Sequence, residues 1–290
     1  MAGADCKLLP AAGDLVVARY QENLDWLTAV PSRFRVIVFN KGRLIESIAV
    51  LKRIDILIER DNALGRESDT YLAYLLGDAW QSAEWSIFTQ GDPFSHSPDF
   101  LALLEHQERW AERQILTWQW LKETAVPPAH VLEREKQDFL GELRVRRELF
   151  SLSTLNAVAF DDGGALGFGG CYCDVHGLSK GSNIAAHFFA LIGMPEIARA
   201  AETKELGRFG YGAIFAVRNK LIARVPRTVF AAVLELANSH FMYAYLLERL
   251  WPHIFGEPFL GLRVVAATAA GKHHAPADAA TGAPPALSSL

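Results

Sequence analysis

Cysteine is scarce in this chain of 290 residues, which contains only Cys6, Cys171 and Cys173. Three cysteines cannot form a fully paired disulfide framework and are too few for a four-cysteine zinc site. They favour a reducing compartment, so we expect the protein to be cytoplasmic. The segment from Cys171 to His176 resembles part of a metal site, but it lacks a fourth partner at a suitable spacing.

Long apolar runs and an excess of positive charge are also missing. The longest stretch without Asp, Glu, Lys or Arg is 181–195, which is shorter than the ~18 apolar residues of a membrane span. Residues 1–13 carry Asp5 and lack the apolar region of a signal peptide. The 29 Lys and Arg against 33 Asp and Glu give a charge of −4, which attracts neither nucleic acid nor an anionic membrane. We expect a soluble protein without a nucleic-acid partner; a peripheral membrane contact stays open.

Apolar residues are present in an ordinary proportion, with 50% of the chain hydrophobic, 11% aromatic and 21% charged. A chain of this size buries roughly 75% of the surface that its unfolded form exposes, so it needs no disulfide to fold. From residue 266 onward the sequence is rich in Ala, Pro, Gly and Ser and has no aromatic residue. We therefore expect a flexible N-terminus at 1–12, one domain at 13–262 and a disordered tail at 263–290.

Four short apolar runs in the first hundred residues predict β-strands, at 15–18, 35–39, 54–58 and 85–89. A helical pattern from Glu67 to Leu76 precedes the fourth run. Short apolar strands that alternate with helices indicate an α/β fold with a mostly parallel sheet covered on both faces. The remainder is predicted to be mainly helical, with helices at 100–121, 133–147, 185–192 and 227–250, a strand at 210–217, and turn or loop at the glycine-rich 163–170.

Polar residues follow each predicted strand and are candidate ligand-binding residues. Ligands of open parallel sheets bind outside the carboxyl ends of the strands. The polar clusters here are Arg19-Tyr20, Asn40-Lys41, Asp61-Asn62 and Gln90-Gly91-Asp92. Gly65 and Arg66 lie just before a predicted helix. The N-terminus of a helix together with a neighbouring guanidinium can bind a phosphate group. The set predicts a nucleotide-diphosphate site, although any α/β sheet has polar strand ends.

Two common nucleotide-binding fingerprints are missing. No G-x-G-x-x-G follows the first predicted strand, and no G-x-x-x-x-G-K-[ST] occurs anywhere in the chain. The sequence therefore disfavours two functional classes, the nicotinamide-type oxidoreductases and the P-loop nucleotide hydrolases.

Several segments occur in the same order as in a family of uncharacterised proteins that share a domain of unknown function. They are ARYQENLDWL (18–27), VIVFNKG (36–42), NALGRESDTYL (62–72), FTQGDPF (88–94), GAIFAV (212–217) and LERLWP (247–252). The chain resembles this family over residues 14–256. The family in turn is similar to glycosyltransferases of the GT-A fold, which are Rossmann-like.

The resemblance implies that the protein transfers a sugar from a nucleotide-diphosphate donor to a glycan acceptor in polysaccharide or surface-glycan synthesis. GT-A enzymes commonly hold Mg²⁺ or Mn²⁺ with an Asp-x-Asp after the fourth strand, where this chain has Gln90-Gly91-Asp92. The resemblance thus implies that Asp92 is the catalytic and metal-binding carboxylate. Because Gln90 replaces the first carboxylate, Lys41 and Arg66 are the other source of positive charge for the diphosphate.

The same resemblance divides the domain into a nucleotide-binding half at 13–100 and an acceptor half at 101–262. The implied substrate-binding residues are Arg19, Tyr20, Asn40, Lys41, Asn62, Gly65, Arg66 and Gln90. Glu248 and Arg249 are interpreted as an ordinary exposed pair on a helix; the alternative that the resemblance implies is a helix that closes over the donor site, as in GT-A-like proteins. An alternative is a non-catalytic sugar-nucleotide or glycan binding protein of the same fold, and a third is a phosphoryl-transfer or hydrolytic enzyme.

The catalytic base stays undecided among the carboxylates of the acceptor half, which are Asp161, Asp162, Glu196 and Glu205. His96 is a weaker ligand candidate, and His273-His274 lies in the predicted tail. Trp110, Trp118 and Trp120 are interpreted as packing residues rather than as a platform for a sugar.

Overall fold

The computed structural model describes residues 11–118, 143–159 and 161–262. It contains a six-stranded, mostly parallel sheet of order β3-β2-β1-β4-β8-β5 and a separate antiparallel pair, β6 and β7. The strands are β1 (Gly13–Arg19), β2 (Phe34–Asn40), β3 (Ile56–Glu59), β4 (Trp85–Gln90), β5 (Arg113–Ile115), β6 (Glu148–Ser151), β7 (Leu206–Phe209) and β8 (Phe215–Arg218). β1 to β4 run parallel, whereas β8 is antiparallel to both β4 and β5. The predicted α/β fold is confirmed at this level.

Helices cover both faces of the sheet. They are α1 (Ile48–Arg53), α2 (Arg66–Leu76), α3 (Phe100–Glu105), α4 (Gly163–His176), α5 (Ile184–Leu191), α6 (Pro195–Glu202), α7 (Asn219–Ile222), α8 (Arg227–Ser239) and α9 (Met242–Ile254). Short 3₁₀ turns occur at Asp25–Ala29, Ala79–Ser82, Gln107–Arg109 and Tyr211–Ala213. Among the described residues, no helix has the length and apolar character needed to cross a bilayer.

Alternation along the central strand divides the core into two layers. In β1, Val16 and Ala18 face a layer that includes residues of α2, α8 and α9, whereas Leu15 and Val17 face a layer with residues of α1 and α3. All four side chains are buried, because successive side chains of a strand point to opposite faces and both faces are covered. The apolar runs of the sequence are therefore continuous rather than alternating.

The four predicted strands of the N-terminal part all form, within two residues of their predicted bounds. The predicted helix at 67–76 is α2, and the one at 185–192 is α5. Of the strand predicted at 210–217, residues 215–217 belong to β8, whereas Tyr211–Ala213 form a 3₁₀ turn.

The long helix predicted at 100–121 is wrong over residues 106–118, and the structure does not describe the last three residues of the prediction. α3 ends at Glu105, and residues 113–115 form the edge strand β5 against β8. Leu116 continues in an extended conformation and donates its N–H to the Ile214 carbonyl at 3.1 Å. Hydrogen bonds to a neighbouring strand outweigh the helical spacing of the tryptophans here.

The glycine-rich segment predicted as turn or loop is also different, because Gly163 begins the 14-residue helix α4. The Asp162 side chain caps this helix by accepting the Ala165 N–H at 3.1 Å. A Cβ at Gly169 would lie 2.5 Å from the Thr154 carbonyl oxygen, so close packing of the helix on that loop requires a glycine. Packing thus offsets the low helix propensity of glycine.

The helix predicted at 227–250 is two helices, α8 and α9, which are separated at His240 by an extended backbone with φ −155°. Of the helix predicted at 133–147, residues 143–147 are described and are not helical. Residues 1–10, Trp120 and the tail with His273 and His274 lie outside the described residues.

Candidate functional site

The candidate site lies at the carboxyl ends of the parallel strands. The chain leaves β1 for β2 on one side and later enters β4 on the other side, so β1 and β4 flank a topological switch point. A cavity of about 170 Å³ opens at this position, and we call it the cation cavity. It is lined by Ala18, Arg19, Tyr20, Glu22, Lys41, Asn62, Arg66, Glu67 and Gln90.

The cation cavity brings together most of the residues predicted to bind substrate, from four separate segments of the chain. These are Arg19, Tyr20, Lys41, Asn62, Arg66 and Gln90. Three other predicted residues do not line it. Asn40 is fully buried behind Arg19, Gly65 packs against Asn238, and Asp92 is exposed on the loop after β4.

Arg19, at the end of β1, is held in place by the neighbouring strand. Its Nη1 donates to Asn40 Oδ1 at 2.5 Å and to the Arg43 carbonyl, and its Nε donates to the Glu22 carbonyl at 3.1 Å. Asn40 is oriented in turn by donating from Nδ2 to Glu59 Oε2 at 2.8 Å. Asn40 therefore positions the guanidinium rather than lining the cavity.

The loops after β1 and β2 approach each other very closely. The Lys41 N–H donates to the Arg19 carbonyl at 2.9 Å. A Cβ at Gly42 would lie 1.5 Å from the Tyr20 carbonyl oxygen, so only glycine fits there. This approach brings the loops that carry Tyr20 and Lys41 together, and both residues line the cavity.

Lys41 and Arg66 form the opposite wall. The Lys41 Nζ donates to the Arg66 carbonyl, and burial lowers the pKa of this ammonium group. Arg66 adopts a positive φ of 51° at the start of α2, a conformation that costs a non-glycine residue about 1 kcal/mol or more. Its guanidinium is more than half exposed and donates from Nη1 to the Tyr245 hydroxyl at 3.1 Å.

Two carboxylates accompany the three cations. Glu22 Oε2 accepts the N–H groups of Tyr20 and Gln21 at 2.6 and 3.0 Å. Burial raises the pKa of Glu67, and the nearby Arg66 only partly opposes this shift. A raised pKa brings Glu67 toward its neutral form and leaves the cavity more positive.

A second, wider cavity of about 440 Å³ adjoins the first and shares Arg19 and Glu22 with it. We call it the side cavity. Apolar side chains of Leu24, Ile45 and Val50 contribute to its lining. The two cavities together offer a positively charged pocket beside a partly apolar one.

The residues present do not fit a divalent metal at the place that the resemblance implies. Asp92 is exposed, and its Oδ1 accepts the Phe94 N–H at 3.0 Å within its own loop. The neighbouring Gln90 side chain donates from Nε2 to the Gly212 carbonyl at 2.9 Å. Within the parts of the chain that the structure describes, no three His, Cys, Asp or Glu side chains cluster as metal ligands.

The remaining candidates have ordinary structural partners. Cys171 lies 4.0 Å from His240 Nε2, and His176 Nε2 is 2.8 Å from the Tyr243 hydroxyl, so this segment of α4 does not converge on one point. The His96 ring packs against Gly212. Trp110 and Trp118 are buried, in agreement with their interpretation as packing residues.

Of the four candidate bases, Asp162 lines a cavity, and its two carboxylate oxygens contact Ala165 N and Arg249 Nη2. Sequence reasoning missed Glu22 and Glu67 as cavity residues. Glu67 follows Arg66 at the start of a predicted helix, which is the signal that could have found it.

No protein-family model matches the chain, and no curated protein and no solved structure is found to be similar to it. The functional argument therefore depends on the chemistry of the site.

Proposed function

We propose that the protein is a glycosyltransferase of GT-A-like architecture that binds a nucleotide-diphosphate sugar and transfers the sugar to a glycan hydroxyl. The observation that carries the proposal is the convergence of Arg19, Lys41 and Arg66 on one cavity at the carboxyl edge of parallel strands. Guanidinium and ammonium groups are the side chains that pair best with phosphate oxygens. The resemblance of the sequence to the family described above points the same way.

The two adjoining cavities would hold different parts of such a donor. The diphosphate would lie in the cation cavity, and the nucleoside would enter the side cavity, which has the larger volume and apolar side chains. Arg19 belongs to both cavities and would contact the junction between nucleoside and diphosphate.

The reaction mainly requires stabilisation of the negative charge that develops on the leaving diphosphate. Breaking the bond between the anomeric carbon and the phosphate leaves an electron pair on the phosphate oxygen, and nearby cations stabilise that charge. Arg19, Lys41 and Arg66 are the cations that would stabilise this charge. Since the described residues do not fit a divalent-metal site, no step of the proposal uses a metal ion.

The test is calorimetry of the full chain against UDP, GDP, ADP and CDP, with and without Mn²⁺. We expect one of them to bind without metal, with less than about a twofold change in Kd on adding Mn²⁺. Arg66→Ala and Lys41→Ala should each weaken binding about tenfold or more, because each removes a charge-assisted hydrogen bond. Arg199→Ala, an exposed arginine of α6 that pairs with Glu196, is the matched control.

Absence of binding to all four nucleotides would contradict the proposal, as would unchanged binding by the Arg66 variant.

A second candidate is a non-catalytic sugar-nucleotide or glycan binding protein of this fold. The exposed position of Asp92, away from the cation cavity, favours it. Binding of a sugar nucleotide with no release of sugar would identify this second case.

A further inference from the structure

A third cavity, of about 100 Å³, lies between α4 and α9, and we call it the helix cavity. Its lining includes Phe168, Tyr211, Tyr245 and Glu248. The rings of Phe168 and Tyr245 stack with their centroids 3.8 Å apart. The volume corresponds to about three water molecules, which is room for one hydroxyl-bearing end of a larger molecule.

Two links connect the helix cavity to the cation cavity. Arg66, from the cation cavity, donates to the hydroxyl of Tyr245, from the helix cavity, at 3.1 Å. Gly212 makes the second link, because its carbonyl accepts from Gln90 while its backbone lies close enough to Glu248 to lower the pKa of that carboxyl. The two cavities are therefore neighbours, since a hydrogen bond joins a lining residue of one to a lining residue of the other.

Glu248 is the carboxyl group in the helix cavity whose charge is least compensated. Arg249 pairs with Asp162 at 2.6 Å and donates to the Leu155 carbonyl, whereas its distance to Glu248 is 3.7 Å. The Glu248 side chain is 15% exposed, so it is largely removed from water without a close ion pair.

The surroundings of Glu248 raise its pKa to a value at which the carboxylate can accept a proton near neutral pH. Burial raises its pKa to about 7, and the charges of Glu67 and Asp162 add to the rise, while Arg249 and the Gly212 backbone oppose it. The phenols of Tyr71 and Tyr211 also lie close enough to be influenced by this charge. A general base is most effective when its pKa lies near the working pH.

We infer that the helix cavity receives the acceptor hydroxyl and that Glu248 takes up its proton, an inference that rests on the proposed function. The acceptor oxygen forms the new bond to the anomeric carbon as the bond from that carbon to the phosphate oxygen breaks. The electron pair stays on the diphosphate beside Arg19, Lys41 and Arg66, and the hydroxyl proton moves to the Glu248 carboxylate. The acceptor is thus a neutral polyol or sugar whose ring faces pack against Phe168 and Tyr245.

The test follows release of nucleoside diphosphate from UDP-glucose, UDP-galactose and GDP-mannose, with a panel of disaccharide acceptors. Glu248→Gln should keep the nucleotide Kd within about twofold and lower the release rate about a hundredfold or more. It should also abolish the fall in rate below about pH 7, where the base of the unmodified protein becomes protonated. Glu108→Gln, whose side chain is 66% exposed beside His106, is the matched control and should change neither property.

A second variant, Phe168→Ala, should raise the acceptor KM without changing the nucleotide Kd, and it keeps the inference testable if the Glu248 variant fails to fold. The inference is overturned if Glu248→Gln releases nucleotide at the normal rate with the same pH profile. It is also overturned if the protein binds nucleotides but turns over none of the three donors. Absence of nucleotide binding in the unmodified protein would instead contradict the proposed function itself.

Discussion

The side chain of Gln90 donates from Nε2 to the carbonyl oxygen of Gly212 at 2.9 Å, although 122 residues separate them. Gln90 ends the parallel strand β4, and Gly212 lies in the turn that enters the antiparallel strand β8. The backbone of the same glycine lies near Glu248 and lowers the pKa of that carboxyl. The hydrogen bond between Gln90 and Gly212 joins the edge of the sheet that carries the cation cavity to the helical half of the protein.

The first prediction concerns Gly212→Ala, which we expect to lower the free energy of unfolding by about 2 kcal/mol or more. Gly212 has a positive φ of 70°, and a Cβ there would lie 2.6 Å from the His96 ring. Urea denaturation measures the effect. Gly170→Ala in α4 is the control, because nothing lies within 4 Å of its added Cβ; it should stabilise by about 0.5–1 kcal/mol. Equal effects of the two changes would contradict the argument.

The second prediction concerns Asp14, a fully buried carboxylate in β1. Arg35 binds it in a bidentate manner at 2.8 and 2.6 Å, and the Tyr74 hydroxyl donates to it at 2.7 Å. Asp14→Asn should destabilise the protein by about 3 kcal/mol, because Arg35 loses its charged partner inside the sheet. The exposed pair of Asp78 and Arg227 provides the control, and Asp78→Asn should change stability by less than about 0.5 kcal/mol in the same measurement.

The third prediction is a pH dependence of stability due to Glu248. Its folded-state pKa of about 7 exceeds the ordinary 4.5, so the folded protein holds the extra proton and loses stability as pH rises between these values. Glu248→Gln removes this loss and should make the protein about 3 kcal/mol more stable than the unmodified chain at about pH 8. The two curves should converge near pH 4; a constant difference across this range would refute the assignment.

The fourth prediction is that ligand affinity falls as pH rises. Deprotonation of Glu67, whose pKa burial raises, adds a negative charge beside the bound diphosphate. Loss of the Lys41 proton at higher pH acts in the same direction, since burial lowers the pKa of Lys41. A sugar nucleotide is the suitable probe, because its diphosphate does not titrate in the pH range over which Glu67 and Lys41 lose their protons. Glu67→Gln should flatten the lower part of the profile, and Glu108→Gln should leave it unchanged.

Local sequence was sufficient to predict the strands of the N-terminal half and the position of the candidate site. β1, β2 and β4 are short buried apolar runs, as a covered parallel sheet requires, whereas the edge strand β3 is partly exposed; each of the four ends at polar residues. Because parallel strands bring their carboxyl ends to one edge, Arg19, Lys41 and Gln90 could be placed together without coordinates. The cavity lining agrees with that placement.

Positions that depend on long-range contacts could not be predicted in this way. Residues 113–115 lie in a sequence with helical spacing, yet they pair with β8 a hundred residues later. The glycine-rich start of α4 has low helix propensity, but Asp162 caps it and the Thr154 carbonyl leaves room only for glycine at position 169. Both outcomes reflect packing free energies that exceed local propensities.

The sequence by itself determined the parallel sheet and the polar edge along which the cations of Arg19, Lys41 and Arg66 lie, because a buried strand needs a continuous apolar run and that pattern is local. Only the tertiary structure decided that Asp92 turns away, that Asn40 supports Arg19 from behind, and that Glu248 lies near Gly212 beside the helix cavity. These relationships depend on which side chains burial removes from water, and burial is a property of the whole packed chain.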